Sequence, residues 1–425
     1  MKRFLHISSG SVWGVRDMRI VLPGRAVSAA GQGMAMVTLV LHLHDSGAGP
    51  VATAALFGCL ALPTIALMGV AGRAADRYDS RRILVLGHLL EAAACLLLTG
   101  LVAGAPWWWC LPAVTLMQTG AAFANPVWSA LVPRIVGEER IGSAISWQQG
   151  LSTAIAPVGA ASSGVLYGLV GPSSALATAA TLLTCLAVVG RLVHTRRGGP
   201  ADPAHDADDH AATTAGPSGL QVIRTDPVVW PLFVGLFVLV MCVEGVNVVE
   251  VFLARDALGA TPQQYGFTEV CFSGGAVAGA LAAGRLRTTR ARVLATLLGF
   301  GGTALTLLLA GVAPNFWTYL VIALFIGLTN AYGNAANGAL VMTRVPDTAR
   351  GQVSSTLGGV MRIGSVLALA LGGLAGSLLG PRETFVVAGA SGLLAILAAL
   401  LVVGRRLPTD PQTTMTGGPA VRAQV

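Results

Sequence analysis

The amino-acid sequence predicts an all-α membrane protein of twelve transmembrane helices in two six-helix halves. The first supporting observation is composition: the chain of 425 residues is 54% hydrophobic and 11% charged, with a mean hydropathy of +0.71. A soluble core of this size cannot hide that much apolar surface. The second is a series of twelve long apolar runs, and the third is the concentration of arginine in alternate connections between them. We therefore expect the lipid bilayer to be the solvent of this chain.

Each apolar run is long enough to cross ~30 Å of hydrocarbon at ~1.5 Å per helical residue. In the first half the predicted helices 1 to 6 cover residues 20–43, 50–72, 81–104, 107–133, 141–169 and 172–193. In the second half, helices 7 to 12 cover residues 227–253, 262–284, 291–313, 316–342, 350–378 and 383–404. A polar stretch between the halves has the composition of a solvated linker. The predicted domains are residues 1–194, a cytoplasmic linker 195–226, residues 227–404 and a cytoplasmic tail 405–425.

The distribution of arginine predicts the orientation. The connections on one side of the membrane hold only two arginines, Arg255 after helix 7 and Arg382 after helix 11. The connections on the other side carry nearly all the remaining arginines. The positive-inside rule then puts both termini in the cytoplasm of a bacterial cell, with the chain in its cytoplasmic (inner) membrane. Because the net charge of +8 is spread over short clusters and forms no single basic face, no nucleic-acid partner is expected.

The sequence predicts neither an enzyme nor a cofactor or metal site. Its six cysteines fall within apolar runs without close pairing, which favours neither disulfides nor zinc. Lys2 is the only lysine, so the chain cannot form the phosphate-binding loop that ends in Gly-Lys-Ser/Thr. It also lacks the Gly-x-Ser-x-Gly and His-Glu-x-x-His patterns of hydrolases.

The two halves can be aligned with each other at an offset of 210 residues. This offset superposes Trp107 on Trp317 and Arg140 on Arg350. An even number of helices per half gives both halves the same orientation in the membrane. Parallel repeats of this kind, related by an axis along the membrane normal, are used by transporters to build alternating access around a site near the midplane.

The connection after helix 2 contains a spaced motif, whose members are Gly72, Asp76, Arg77, Arg81 and Arg82. It resembles the loop signature of the major facilitator superfamily, although Asp79 and Ser80 replace its usual Gly-Arg. The resemblance implies a twelve-helix transporter fold whose helices 1, 4, 7 and 10 line a central cavity, with this motif in a gating role. We expect the glycine to let helix 2 approach a neighbour closely. The first 150 residues are also similar to the macrolide and enterobactin exporter branch, which leaves the substrate class open.

Helix 5 carries a weaker motif around Pro157 and Gly159. It looks like a reduced form of the Gly-Pro-x-x-Gly-Gly motif of drug:proton antiporters. A proline beside small packing residues is an equally good interpretation.

Six ionisable side chains fall inside predicted spans: Arg25, Glu91, Glu244, Glu250, Glu269 and Arg362. Each costs at least ~2.5 kcal/mol in lipid unless it is paired, hydrated or neutralised, which makes all six candidates for function. Glu244 and Glu250 share one helix face with Asn247, and Glu269 is expected near Glu244. Because burial favours the protonated form of a carboxylate, these three glutamates are the predicted proton-coupling residues. Alternatively, Glu250 pairs with Arg255 at the surface.

The other charges have weaker interpretations. Arg362 lies ~18 Å into helix 11 and needs a counter-ion or an anionic substrate. Arg25 can instead extend to the cytoplasmic surface, and Glu91 can form a structural ion pair on a peripheral helix.

Uncharged polar residues complete the predicted substrate cavity, whose full set is Arg25, Gln32, Asn125, Asn247, Asn330, Asn334, Asn337 and Arg362. The three asparagines of helix 10 share one face, where they bind substrate or join helices. Tyr332 and Trp128 are expected to supply aromatic walls.

These patterns predict a secondary active transporter, a proton-coupled exporter of small hydrophobic or cationic compounds that works by alternating access. The expected partners are a small-molecule substrate, protons and the lipid bilayer, with the chain acting as a monomer. Import by symport, and a transporter-like sensor that transports nothing, remain alternatives because a fold fixes neither direction nor substrate.

Overall fold

The computed structural model describes residues 12–195, 224, 229–344 and 350–404. The first half contains α1 (Met18–Asp45), α2a (Pro50–Ala66), α2b (Met68–Arg77), α3 (Ser80–Gly104), α4 (Cys110–Val136), α5 (Ile141–Val170) and α6 (Pro172–Leu192). The second half contains α7 (Val229–Phe252), α8 (Pro262–Ala283), α9 (Thr289–Gly311), α10 (Phe316–Arg344), α11 (Arg350–Leu378) and α12 (Pro381–Gly404). Most of the predicted linker 195–226 and all of the predicted tail 405–425 lie outside the described residues, and the four domain boundaries stay predictions.

The all-α fold class is confirmed, and each helix overlaps its predicted span. By length and composition, ten helices in the described part of the chain can cross a membrane, or eleven if α2a and α2b count as one span. The helix α4 has the length of a span but is not among them, and Gln118 and Asn125 interrupt its apolar sequence. Membrane crossing by α4, and the cytoplasmic position of the termini, stay predictions. "Outer" and "cytoplasmic" below follow that predicted orientation.

Helix 2 differs most from its prediction. It runs five residues further than expected and is bent by 48° between α2a and α2b, at Leu67. Pro63 lies one turn before this bend and cannot donate the backbone hydrogen bond that a straight helix needs. The bend therefore follows from one residue whose effect the hydropathy pattern does not register.

Local signals fix several helix starts. Thr261 and Gln264 form a reciprocal capping box at the start of α8, the arrangement that satisfies two of the free N–H groups there. The side chains of Asp79 and Thr288 cap α3 and α9 in the same sense, each accepting from a backbone N–H in the first turn. These residues set where the cytoplasmic ends of α3 and α9, and the outer end of α8, begin.

The same packing pairs recur in both halves. In the first half α1 packs against α5 and α6, α3 against α4 and α6, and α2a against α4. The second half repeats this with α7 against α11 and α12, α9 against α10 and α12, and α8 against α10. The starts of α5 and α6 are each followed, 209 residues later, by the starts of α11 and α12. The predicted internal duplication is thus present in three dimensions.

Small residues let the paired helices come close. A side chain added at Gly120 of α4 would run into the backbone of Gly87 on α3. In the second half, one added at Gly372 of α11 would run into Gly245 of α7. Without a hydrophobic effect between helices in lipid, such close backbone contact is a main source of attraction.

The two halves meet mainly toward their outer ends, through α2a with α11 and α5 with α8. Gly164 of α5 lies against Pro262 and Gly266 of α8, and Gly373 of α11 lies against Pro50 and its neighbours on α2a. In α5 the residues from 157 to 167 include most of the buried positions, whereas between 142 and 154 only Ala144 is buried. The cytoplasmic half of α5 contacts the first half, as Trp147 does with Trp13, but most of its surface is exposed. The conformation is therefore closed outside and open toward the cytoplasm.

Candidate functional site

A polar cluster closes the outer side between the halves. Asp45 at the end of α1 accepts hydrogen bonds from Tyr167 (2.8 Å) and from Arg255 of the second half (3.1 Å). His44 lies between two carboxylates, with Nδ1 at 3.0 Å from Asp45 and Nε2 at 2.8 Å from Asp256. We call these five residues the outer cluster. It joins the ends of α1 and α5 to the π-helical turn that extends α7, so it must separate when the outer side opens.

The signature motif lies at the cytoplasmic end of helix 2. Asp76 and Arg77 occupy the last turn of α2b, and Arg81 donates from its guanidinium to the carbonyl of Arg191 at the end of α6. Arg82 is exposed. A Cβ atom added at Gly72 would have nothing within 4 Å, so the close approach expected there is absent from this conformation. The gating role of these residues stays a prediction.

Glu244 is half-buried in α7 and is held at the contact between α7 and α11. Asn247 from its own helix and Ser365 from α11 lie within hydrogen-bond range of its carboxylate. Both partners are neutral, and no basic side chain among the described residues forms an ion pair with it. The expected proximity of Asn247 and Glu244 is therefore present, with Ser365 as a partner that sequence did not predict.

Glu250 of α7 and Glu269 of α8 lie within electrostatic range of each other in the second half, with Glu250 half-buried and Glu269 exposed. Glu250 accepts a hydrogen bond from the hydroxyl of Tyr319 at 2.8 Å, and Tyr319 is only 2% exposed. The charges of Glu250 and Glu269 act on each other and on Tyr265. Ser273 lies 3.5 Å from Glu269. The neighbour of Glu269 is thus Glu250, where the sequence suggested Glu244.

The surface pairing considered for Glu250 does not form. Arg255 bonds Asp45 and the carbonyl of Ala260 instead. Within the described residues, neither Glu250 nor Glu269 forms an ion pair with a basic side chain. Hydroxyl groups are thus the polar side-chain groups that these carboxylates contact, that of Tyr319 for Glu250 and that of Ser273 for Glu269.

The asparagines of α10 differ in their exposure and in their hydrogen bonds. Asn334 donates to the side-chain oxygen of Asn330 at 3.0 Å and is itself exposed. Asn337 is half-buried, with Tyr332 nearby in sequence and equally half-buried. An exposed amide in the middle of a span requires water rather than lipid, which favours a cavity-facing position for Asn334.

Arg362 of α11 is exposed, and its guanidinium lies 3.8 Å from the sulfur of Met68 on α2b. No carboxylate in the described part of the chain forms an ion pair with it. Asn125 of α4 is also exposed. Both residues thus have the exposure expected of cavity-facing positions, while their contact with substrate stays a prediction.

A hydrogen-bonded chain occupies the core of the first half. Gln32 of α1 donates to Glu91 of α3 at 2.9 Å, His88 lies 3.0 Å from the other oxygen of Glu91, and Trp128 of α4 donates to His88 at 2.9 Å. Glu91, His88 and Trp128 are 1 to 2% exposed. The guanidinium of Arg25 lies over the Trp128 ring, 5.8 Å from its centroid.

This hydrogen-bonded chain corrects three expectations. Arg25 does not extend to the cytoplasmic surface, because its guanidinium is held inside the bundle by the aromatic ring. Trp128 is not a cavity wall, because it is fully buried. Glu91 is connected to two other helices, directly to Gln32 on α1 and through His88 to Trp128 on α4, although the sequence suggested only a peripheral ion pair.

The helix 5 motif serves close packing. A Cβ atom added at Gly159 would overlap the backbone of Ala30 on α1, and Pro157 is buried in the same contact region. Of the two interpretations, packing is the one with a visible contact, while an exporter-specific role stays a prediction.

Sequence reasoning missed three functional candidates, namely His88, Asp45 and Tyr319. His88 precedes Glu91 by three residues, which places both on one helix face, and that spacing was a usable signal. Asp45 and Tyr319 lie at helix ends and were indistinguishable from ordinary boundary residues, because their partners are distant in sequence.

Comparisons with known proteins agree with this architecture. The family model described as "Major Facilitator Superfamily" matches residues 21–254 and 245–423. The chain belongs to the Major Facilitator Superfamily. It is 22% identical over 371 residues to "Macrolide efflux protein A" of Streptococcus pyogenes, covering 86% of this chain and 91% of that protein.

Two further similarities point the same way. A shorter match, 33% identical over 110 residues, covers 26% of this chain and 24% of "Multidrug resistance protein MdtG" of Salmonella paratyphi C. Among solved structures, a bacterial homologue of the human lysosomal transporter Spinster, in an inward-facing and unoccupied conformation, gives a TM-score of 0.73 at 13% identity. That alignment covers 93% of this chain and 98% of the other, and it shows the fold.

The predicted family and its drug-efflux branch are thus confirmed. This superfamily member is a multi-pass transporter of the bacterial cytoplasmic membrane and not an enzyme.

Proposed function

We propose that this superfamily member is a proton-coupled exporter of small hydrophobic or cationic compounds, and that Glu244, Glu250 and Glu269 carry the proton. The observation that supports it most is the pair formed by Glu250 and Glu269. Two carboxylates whose charges act on each other are harder to ionise together than singly, the more so where burial removes water. The pair is therefore suited to bind and release a proton during the transport cycle.

The direction of transport is supported by the relatives. The names of the macrolide and multidrug proteins describe efflux or drug resistance. A transporter that releases drug outward against a proton gradient needs carboxylates that load and unload protons as the cavity changes sides. Glu244, held by neutral partners at the contact of α7 and α11, is suited to respond to a cationic compound in the cavity.

During alternating access, this molecule is closed on the outer side in one conformation and on the cytoplasmic side in the other. In the present conformation the outer cluster and the contacts of α5 with α8 and of α2a with α11 hold the outer side shut. Opening outward requires the two halves to rock about these contacts. The packing pairs are the same in both halves. An outward-open form can therefore be built from the same helices if the two halves exchange conformations. A monomer contains everything this cycle needs.

The test is proton release from everted membrane vesicles with an acidic interior, followed by a pH-sensitive dye. A macrolide, ethidium and tetraphenylphosphonium are added in turn to wild type and to Glu244→Gln, Glu250→Gln and Glu269→Gln. Glu139→Gln, which alters an exposed carboxylate outside the cavity, is the matched control. We expect compound-triggered alkalinisation of the interior in wild type and control, and its loss in Glu244→Gln, Glu250→Gln and Glu269→Gln.

Each other outcome has a definite meaning. Acidification on adding a compound would indicate symport and overturn export. A response that survives in all three variants would move the proton away from these carboxylates. A wild type that responds to none of a wide panel, although it is folded and inserted, would favour a sensor over a transporter.

A further inference from the structure

We propose that Glu91 is a second proton-binding site, located in the first half, and that Gln32 transmits its protonation state to the cavity. This inference builds on proton-coupled transport and adds a site to it. It starts from the chain of Gln32, Glu91, His88 and Trp128, which connects the cavity-facing helix α1 to a carboxylate fully shielded from water.

The hydrogen-bond directions in this chain are fixed from one end. An indole N–H can only donate, so Nε2 of His88 is the acceptor of the bond from Trp128 and carries no proton. The single proton of the neutral imidazole is then on Nδ1 and is donated to Glu91. With Gln32 donating to its other oxygen, Glu91 receives two hydrogen bonds and gives none. This is the ionised form of the carboxylate.

The surroundings of Glu91 contain one compensating charge. The groups that titrate or carry charge and face it are His88 and Cys95 on its own helix and Arg25 on α1. The neighbours of this site on α4 are Gly120 and Trp128, which are uncharged. The neighbour on α6 is the backbone of Leu176, which lies beside Cys95 and is also uncharged.

Arg25 balances the carboxylate without forming an ion pair with it. It lies over Trp128, and its Nη1 has no hydrogen-bond partner within the described residues. With the amide of Gln148 turned so that its oxygen faces the guanidinium, that oxygen accepts from Nη2 of Arg25 at 3.0 Å. The charge of Glu91 is thus compensated at a distance and not by a direct ion pair.

The proton goes to Glu91 and not to His88. Protonating Nε2 of His88 would break its bond with Trp128, leave the indole N–H without an acceptor and add a cation near Arg25. Protonating Glu91 on the oxygen that faces Gln32 requires only that the amide of Gln32 turn over. The amide oxygen then accepts from the new O–H, and the proton is exchanged with cavity water at the exposed side chain of Gln32.

This rotation changes what the cavity offers a substrate. Gln32 is exposed, lies about 20 Å from the start of α1, and has no other side-chain hydrogen bond within the described part of the chain. While Glu91 is ionised, Gln32 presents its carbonyl oxygen to the cavity. Once Glu91 is protonated, Gln32 presents its NH₂ group instead. Compounds with N–H or O–H donors, such as protonated amines, are therefore bound in one state and released in the other, although they never touch the carboxylate.

The test is infrared difference spectroscopy of the purified full-length protein between about pH 5 and about pH 9, without substrate. We expect a carboxylic-acid C=O band that grows on acidification in wild type and is lost in Glu91→Gln. Glu244→Gln is the matched control and should keep this band. In Gln32→Met the band should remain but shift in frequency, because the acid loses the acceptor of its O–H. Thermal unfolding and gel filtration establish that each variant is folded.

A Glu91→Gln spectrum identical to that of wild type would overturn the proposal, and so would an imidazolium signal in place of the acid band. If Glu91→Gln does not fold, Gln32→Met decides: a displaced band supports the relay and an unchanged set of bands overturns it. Because no substrate or membrane gradient is used, this result stands apart from the vesicle assay. Failure of export would leave a titrating Glu91 in place, and successful export with a silent Glu91 would remove only this second site.

Discussion

Single polar residues inside this bundle act through partners that are far away in sequence. Asp17 illustrates this at the cytoplasmic start of α1, outside the membrane-spanning segments. It is 6% exposed and accepts hydrogen bonds from the backbone N–H and the hydroxyl of Thr195, at 2.9 and 2.8 Å, and from the N–H of His194 at 3.2 Å. One carboxylate thus fastens the end of the first half to its beginning.

Burial alone would raise the pKa of Asp17, but the hydrogen bonds from Thr195 and His194, with the charge of His194, outweigh it and lower the pKa below the ordinary value. A carboxylate whose folded pKa is depressed stabilises the fold above its unfolded pKa, and that contribution disappears as pH falls through the folded value. We expect Asp17→Ala to lower the free energy of unfolding by about 2 kcal/mol at neutral pH. The difference from wild type should close below about pH 4.

Thermal unfolding in detergent at a series of pH values measures this effect. Glu139→Ala, which removes an exposed carboxylate at the same side of the membrane, is the control and should change stability little. A gap between Asp17→Ala and wild type that stays constant down to acid pH would show that the ionised carboxylate contributes nothing.

At the scale of the helices, close packing is decided by where each small residue faces. Gly159 and Gly150 lie on the same helix, α5, yet a Cβ atom would overlap the backbone of Ala30 at Gly159 and meet nothing within 4 Å at Gly150. The sequence alone does not show which of these two glycines packs closely against another helix, because that depends on their neighbours in the fold.

We therefore expect Gly159→Ala to destabilise the protein by about 1 to 3 kcal/mol through overpacking of α1 against α5. Gly150→Ala should be neutral or stabilise by up to about 1 kcal/mol, because alanine favours the helix. Parallel thermal unfolding of the two variants measures the difference. Equal melting temperatures would mean that α1 and α5 do not meet at Gly159 in the membrane.

At the scale of the whole molecule, the outer cluster sets how easily the halves separate outside. The pair of Asp45 and Arg255 is partly exposed, and such pairs contribute up to about 1 kcal/mol, or about fivefold in a population. We expect Asp45→Asn and Arg255→Gln each to increase the outward-open population by up to about fivefold. An impermeant thiol reagent, applied from outside to a variant that lacks the six native cysteines and carries Ala160→Cys, reports this population as a labelling rate.

Ala160 is suited to this role because it is 1% exposed and lies where α5 meets Gly266 of α8. Glu383→Gln changes a carboxylate on the same side of the membrane but outside the cluster and should leave the rate unchanged. Unaltered labelling in both cluster variants would mean that helix packing alone keeps the outer side closed.

The sequence by itself determined the fold class, the positions of the helices, the duplication and the family signature. These properties follow from local composition, from the length of hydrocarbon to be crossed and from the spacing of a few residues along one chain. Only the tertiary structure decided which polar groups share a site: Glu250 with Glu269 and Tyr319, Asp45 with Arg255, and Glu91 with Gln32 and His88. The physical reason is that a buried polar atom takes whichever partner the packing of distant helices brings within about 3 Å, and hydropathy along a single chain carries no information about that distance.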